Sequence, residues 1–118
     1  MNLPLLSLGS LLIVFLHIFI WFSSNGQFME NNEFFAKHSL AFAIATGPIV
    51  SVLGYFGARF IWEAMNGSLW QIRFIGFGLS YLVFPVLTWY FLGESMFTLK
   101  TGICIVLSML IILIQVYM

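Results

Sequence analysis

Four long apolar runs dominate this chain, at residues 4–22, 40–62, 70–92 and 98–117, with polar residues gathered between them. Each is close to the ~20 residues that cross a hydrocarbon layer as a helix. A backbone in hydrocarbon must satisfy its own hydrogen bonds, and runs this long and uniformly apolar do not alternate as barrel strands do. The expectation is an all-α integral membrane protein, a four-helix bundle with short connections. Residues 1–118 read as one four-span transmembrane domain.

Composition excludes the soluble alternatives. Only 7% of the 118 residues are charged and 62% are hydrophobic, whereas a soluble domain carries about 25% charged residues. Mean hydropathy is +1.07. Four spans nearly use up the length, so no soluble catalytic domain is expected. Net charge is zero and no basic cluster stands out, which argues against a nucleic-acid partner. The single Cys104 permits no intrachain disulfide. The N-terminal run lacks a basic leader and a small-residue cleavage site, and it exceeds the 7–15 residues of a signal-peptide core. It reads as a retained first helix.

Residues 23–39, "SSNGQFMENNEFFAKHS", form the one long polar connection, and Phe28, Phe34 and Phe35 within it suit a segment lying at the membrane interface. Trp21, Trp62, Trp70, Trp89, Tyr90 and Tyr117 lie near span ends, where amphipathic rings favour the headgroup level. Asn66-Gly67-Ser68 fits a glycosylation sequon but sits between two close spans and reads as turn chemistry.

With four spans, the N-terminus, the second connection and the C-terminus share one side of the membrane. That side holds Arg59 and Arg73, and the other holds Lys37 and Lys100. So even a split gives almost no orientation bias. A single weakly biased topology and insertion in both orientations both stand.

Small residues recur four apart: Ala43, Gly47 and Ser51, then Gly54 and Ala58, then Gly76 and Ser80. Such stripes let helices approach closely in lipid, either as ordinary packing or as a dimer seam. Pro48 and Pro85 each remove a backbone hydrogen bond and predict a kink.

Residues 79–118, "LSYLVFPVLTWYFLGESMFTLKTGICIVLSMLIILIQVYM", resemble the C-terminal helix pair of the drug/metabolite transporter superfamily. There an apolar helix with a mid-helix Pro ends in an "LGE"-like turn, and a last helix with an early Gly follows. Pro85, Leu92-Gly93-Glu94 and Gly102 occupy those places, and the likeness extends over residues 72–117. The length resembles the four-helix members, the small multidrug resistance type. The resemblance implies a homodimer, antiparallel in several members, that moves a small organic solute by alternating access in a bacterial-type inner (plasma) membrane. Drug-exporting members carry a membrane-embedded Glu in their first helix. Val14 stands about there in this chain, so the resemblance does not carry over proton-coupled cation export through that carboxylate.

Among candidate residues, His17 is the ionisable side chain set deepest in a span. It reads either as a proton or substrate site or as a neutral imidazole bonded to Ser51, Tyr55, Ser80 or Tyr81. Trp21, Tyr55, Tyr81 and Trp89 are further candidates for lining a cavity that takes an organic cation by cation–π contact or a flat metabolite. Arg59 and Glu63, four apart, and Arg73 read as a gate or as locally paired interfacial charge. Glu94 reads either as a gating contact or as an acid at the N-terminal end of the fourth helix.

The sequence presents no nucleophile–base pair, metal-ligand cluster or phosphate-cradling Gly loop, so neither an enzyme nor a cofactor is expected. The alternatives to a transporter are a non-transporting accessory or assembly subunit and, last, a holin-like permeabilising protein.

Overall fold

The computed structural model describes residues 2–30, 32–95 and 97–118. Met1, Asn31 and Met96 lie outside the described residues; the last two fall within predicted connections. Four helices, α1 (Leu3–Asn25), α2 (Glu33–Ala64), α3 (Leu69–Leu87) and α4 (Leu99–Tyr117), account for most of the chain. All four are long and apolar enough to cross a membrane. A single 3₁₀ turn (Gly26–Phe28) follows α1, and a π-turn (Thr88–Leu92) extends α3.

Each helix start has a local chemical cause. The side chains of Asn2, Asn32, Ser68 and Thr98 accept hydrogen bonds from the backbone N–H of Leu5, Phe35, Gln71 and Thr101, satisfying donors that a helix N-terminus leaves free. Pro4 fits the first turn of α1, where no N–H is needed. Between α2 and α3, where the sequence reads as a turn, Asn66 (φ 65°) and Gly67 (φ 77°) are left-handed. Gly93, at φ 76°, ends the π-turn.

The polar connection is shorter than the sequence reading. α1 continues to Asn25 and α2 begins at Glu33, because the Asn32 cap starts the helix seven residues before the apolar run. Phe28 and Phe34 are exposed, as an interfacial role requires, whereas Phe35 turns inward onto Phe22 and Phe42. The prolines also behave differently from one another. α2 runs unbroken through Pro48. After Pro85, α3 widens into the π-turn, and the Thr88 N–H reaches both Phe84 and Pro85 carbonyls.

The helices form an open, flattened layer rather than a closed bundle, with principal extents of 45 × 37 × 19 Å. Their order across the layer is α2, α1, α3, α4: α1 packs on both α2 and α3, while α4 packs chiefly on α3. Two nuclei hold it together. At one end, Leu6, Ile13, Ile61, Ala64, Ile75 and Leu79 make an aliphatic cluster. The Asn2 N–H bonds the Ala64 carbonyl there at 3.2 Å, setting the start of α1 beside the second connection. At the other end, Trp21, Phe22, Phe35, Phe42 and Phe91 interlock as an aromatic cluster.

Close helix approach comes from glycines outside the predicted stripes. A Cβ on Gly9 would meet the Gly57 carbonyl oxygen at 3.0 Å and the Ile61 nitrogen at 3.1 Å. Gly78 lies against Ile112 and the Ser108 carbonyl in the same way. Gly47 and Gly76, from the stripes, have open space above them, and only Gly54 meets a neighbour, Leu16, at 3.2 Å. Four-residue spacing marks a smooth helix face; which face meets a neighbour depends on rotations that spacing does not encode.

Candidate functional site

Between the two nuclei, packing along α3 is incomplete, and three cavities follow the helix. The first, about 380 Å³, lies where α1, α2 and α3 meet and is lined by His17, Arg73, Gly76 and Ser80. A second, also about 380 Å³, adjoins it between α1 and α3; its walls include His17, Trp21, Ser24, Ser80 and Tyr81. The third, about 290 Å³, opens between α3 and α4 and is lined by Tyr81, Thr88, Glu94, Lys100 and Cys104. His17, Phe77 and Ser80 are common walls of the first two, and Tyr81 and Phe84 of the last two. From Arg73 to Thr88, the run covers fifteen helical steps, about 22 Å.

His17 sits where the first two cavities meet, half-buried. Its ring faces the Gly76 backbone. Of the four partners read from the sequence, Ser80 and Tyr81 share its cavity, while Ser51 and Tyr55 point outward. Ser80 donates to its own helix, to the Phe77 carbonyl at 2.6 Å, so its hydroxyl oxygen remains able to accept.

The predicted aromatic residues divide in the same way. Trp21 and Tyr81 line the second cavity. Tyr55 is 66% exposed on α2 and Trp89 46% exposed at the π-turn, and neither contributes to the three cavities. Trp21 also departs from the interfacial role expected of it. It is only 3% exposed, and its Nε1–H donates to Thr88 Oγ1 at 3.0 Å, because the π-turn brings Thr88 against α1.

The charged candidates separate as well. Arg59 donates from Nε to Glu63 Oε1 at 2.8 Å on an exposed face, the local pair expected at i,i+4 spacing. Arg73 stands apart from that pair and joins His17 in lining the first cavity. Glu94 is not in the first turn of α4. That helix begins at Leu99 and is capped by Thr98, so the helix-dipole role read for Glu94 gives way to a place beside Lys100 in the third cavity.

Ser80 enters the sequence reading as a packing residue and a partner for His17 rather than as a cavity wall, although its place seven positions from Arg73, on the same face of α3, carries that signal. Thr88 escapes the sequence reading of the site; its partner Trp21 is 67 residues away. Among the described residues, no group of three His, Cys, Asp or Glu side chains gathers as a metal site would require.

Compared with known protein families, with curated proteins and with solved structures, the chain finds no match in any of the three.

Proposed function

We propose that this chain is a small multi-pass transport protein of the drug/metabolite type in an inner (plasma) membrane. It moves a small organic solute by alternating access and acts as a homodimer. One observation carries the reading: three cavities with common walls follow α3 from Arg73 to Glu94 and Lys100, and His17 sits between two of them. A path of polar side chains among apolar helices is how a membrane protein accommodates a solute that lipid rejects. The π-turn gives α3 a departure from regular geometry at the cavity wall, a feature frequent at functional sites.

The flattened layer supports pairing. The cavities are partly open, and a second layer laid against their open side would wall them in, as alternating access between two related halves requires. An accessory-subunit role is the second reading. It draws on α4, which packs chiefly on α3 and leaves most of its surface to lipid or to another protein.

The experiment is uptake by purified chain in liposomes, screened over anionic, cationic and zwitterionic organic solutes. Saturable uptake that falls with His17→Ala supports transport through these cavities. Uptake indistinguishable from empty liposomes across the whole set overturns the reading in favour of the accessory role. Crosslinking in mild detergent that yields monomer alone overturns the dimer.

A further inference from the structure

The walls of the first two cavities carry a charge pattern that bears on what they accept. Arg73 and His17 line the first, and His17, Ser24, Asn25, Ser80 and Tyr81 contribute the polar groups of the second. Among the described residues, no carboxylate lines either one. The nearest acid along the path is Glu94, which lies past Tyr81 and Phe84 in the third cavity with Lys100 beside it. Glu63, the acid near the second connection, is paired with Arg59 at 2.8 Å.

A guanidinium is always charged and presents a planar fork of donors that matches carboxylate or phosphate oxygens. At the edge of an apolar layer, its field is screened less than in water. A cation entering here would meet that charge with only ring faces and neutral acceptors, the hydroxyls, the Asn25 amide oxygen and the imidazole, to offset it. An anion would find the guanidinium at the first cavity and neutral donors beyond. Around them, Ile13, Leu16, Ile20, Phe77 and Phe84 supply apolar wall.

We infer that the α1–α3 cavities select an organic anion, one negative group held at Arg73 with an apolar body lying along Phe77 and Phe84. The inference rests on the transport reading for its purpose, since it names the class of solute moved. The anionic group has two sources, a free amphipathic acid or a lipid headgroup entering sideways from the bilayer.

The test uses two probes with one body and opposite charge, 2-naphthoate and 2-naphthylmethylammonium. Binding is measured by equilibrium dialysis to the full chain in phosphatidylcholine nanodiscs, with empty nanodiscs as the blank. The expected result is saturable naphthoate binding at least about tenfold tighter than the ammonium probe, a ratio equivalent to ~1.4 kcal/mol. Losing a charge-assisted bond with Arg73→Gln weakens naphthoate binding by roughly ten- to hundredfold, and Arg73→Lys restores part of it. Equal or tighter binding of the ammonium probe overturns the inference. So does a folded Arg73→Gln chain that keeps native naphthoate affinity, and so does the absence of saturable binding by either probe.

Nanodiscs containing phosphatidylglycerol, measured at high ionic strength to screen the surface field, separate the sources. A raised apparent Kd for naphthoate assigns the anion to a lipid headgroup, and an unchanged Kd assigns it to a free solute; either upholds the anion site. Uptake of a cation without anion binding would keep transport and remove this inference. Anion binding without uptake of any solute would do the reverse.

Discussion

Trp21 and Thr88 are joined by a buried hydrogen bond of 3.0 Å, donated by the indole to the threonine hydroxyl. It ties the middle of the layer, α1 to the π-turn after Pro85, and joins a wall residue of the second cavity to one of the third. Thr88→Val leaves a buried indole N–H without an acceptor and costs about 1–3 kcal/mol. Trp21→Phe removes donor and volume together and is destabilising as well. The double variant is expected to lose less than the sum of the two, a coupling of about 0.5–3 kcal/mol. Thermal unfolding of the four proteins in one detergent checks this, and strict additivity would refute the bond's contribution.

Gly9 and Gly57 set the α1–α2 spacing, and substitution there should be costly. Gly9→Ala places a methyl 3.0 Å from the Gly57 carbonyl oxygen, and backbone cannot yield as a side chain can; overpacking of this kind costs about 1–3 kcal/mol. Gly102→Ala in α4 meets open space and is expected to be neutral or stabilising by up to ~1 kcal/mol, the usual helix-interior difference. A reversed order of melting temperatures would show that the two helices are not held together at Gly9.

Helix positions were legible in the sequence because hydrocarbon length and caps are local properties: the run at 4–22 lies within α1, and the run at 98–117 matches α4 but for its cap, Thr98. Lateral arrangement was not legible. Gly47 and Gly9 are equally small, yet only Gly9 faces a neighbour, and no spacing distinguishes them. The same holds at the site. His17 stands out from its own run, but that Tyr81 shares its cavity while Tyr55 does not depends on how α2 and α3 rotate against α1.

Ser80 lies on the common wall of the two His17 cavities. Its hydroxyl serves only its own helix among the bonds found, so Ser80→Leu should fold while filling the passage. Solute uptake by the reconstituted variant is expected to fall at least about tenfold, equivalent to ~1.4 kcal/mol. Tyr55→Ala and Trp89→Ala, on outward faces, should leave uptake near the native rate. Native uptake by the Ser80→Leu chain would place the path elsewhere.

Glu94→Gln provides a check on the fourth helix. With α4 capped by Thr98 and Glu94 outside its first turn, the exchange should change stability by no more than about 0.5 kcal/mol, as surface substitutions do. A larger loss by thermal unfolding would restore a dipole role for this acid.

The length of α2 has a consequence for how a pair of chains would look from outside. Its 32 residues make about 48 Å of helix, against ~30 Å of hydrocarbon. Glu33, Lys37 and His38 are exposed at its first turns, so the surplus forms a short helical stub at that end, with Lys37 open to a protease. Two chains inserted the same way would raise both stubs on one side, leaving the opposite side bare. Chains inserted head to tail would raise one on each. Trypsin added to sealed vesicles from outside would then cut at Lys37 in half of the chains if they pair head to tail, and cleavage of all or of none would exclude that pairing.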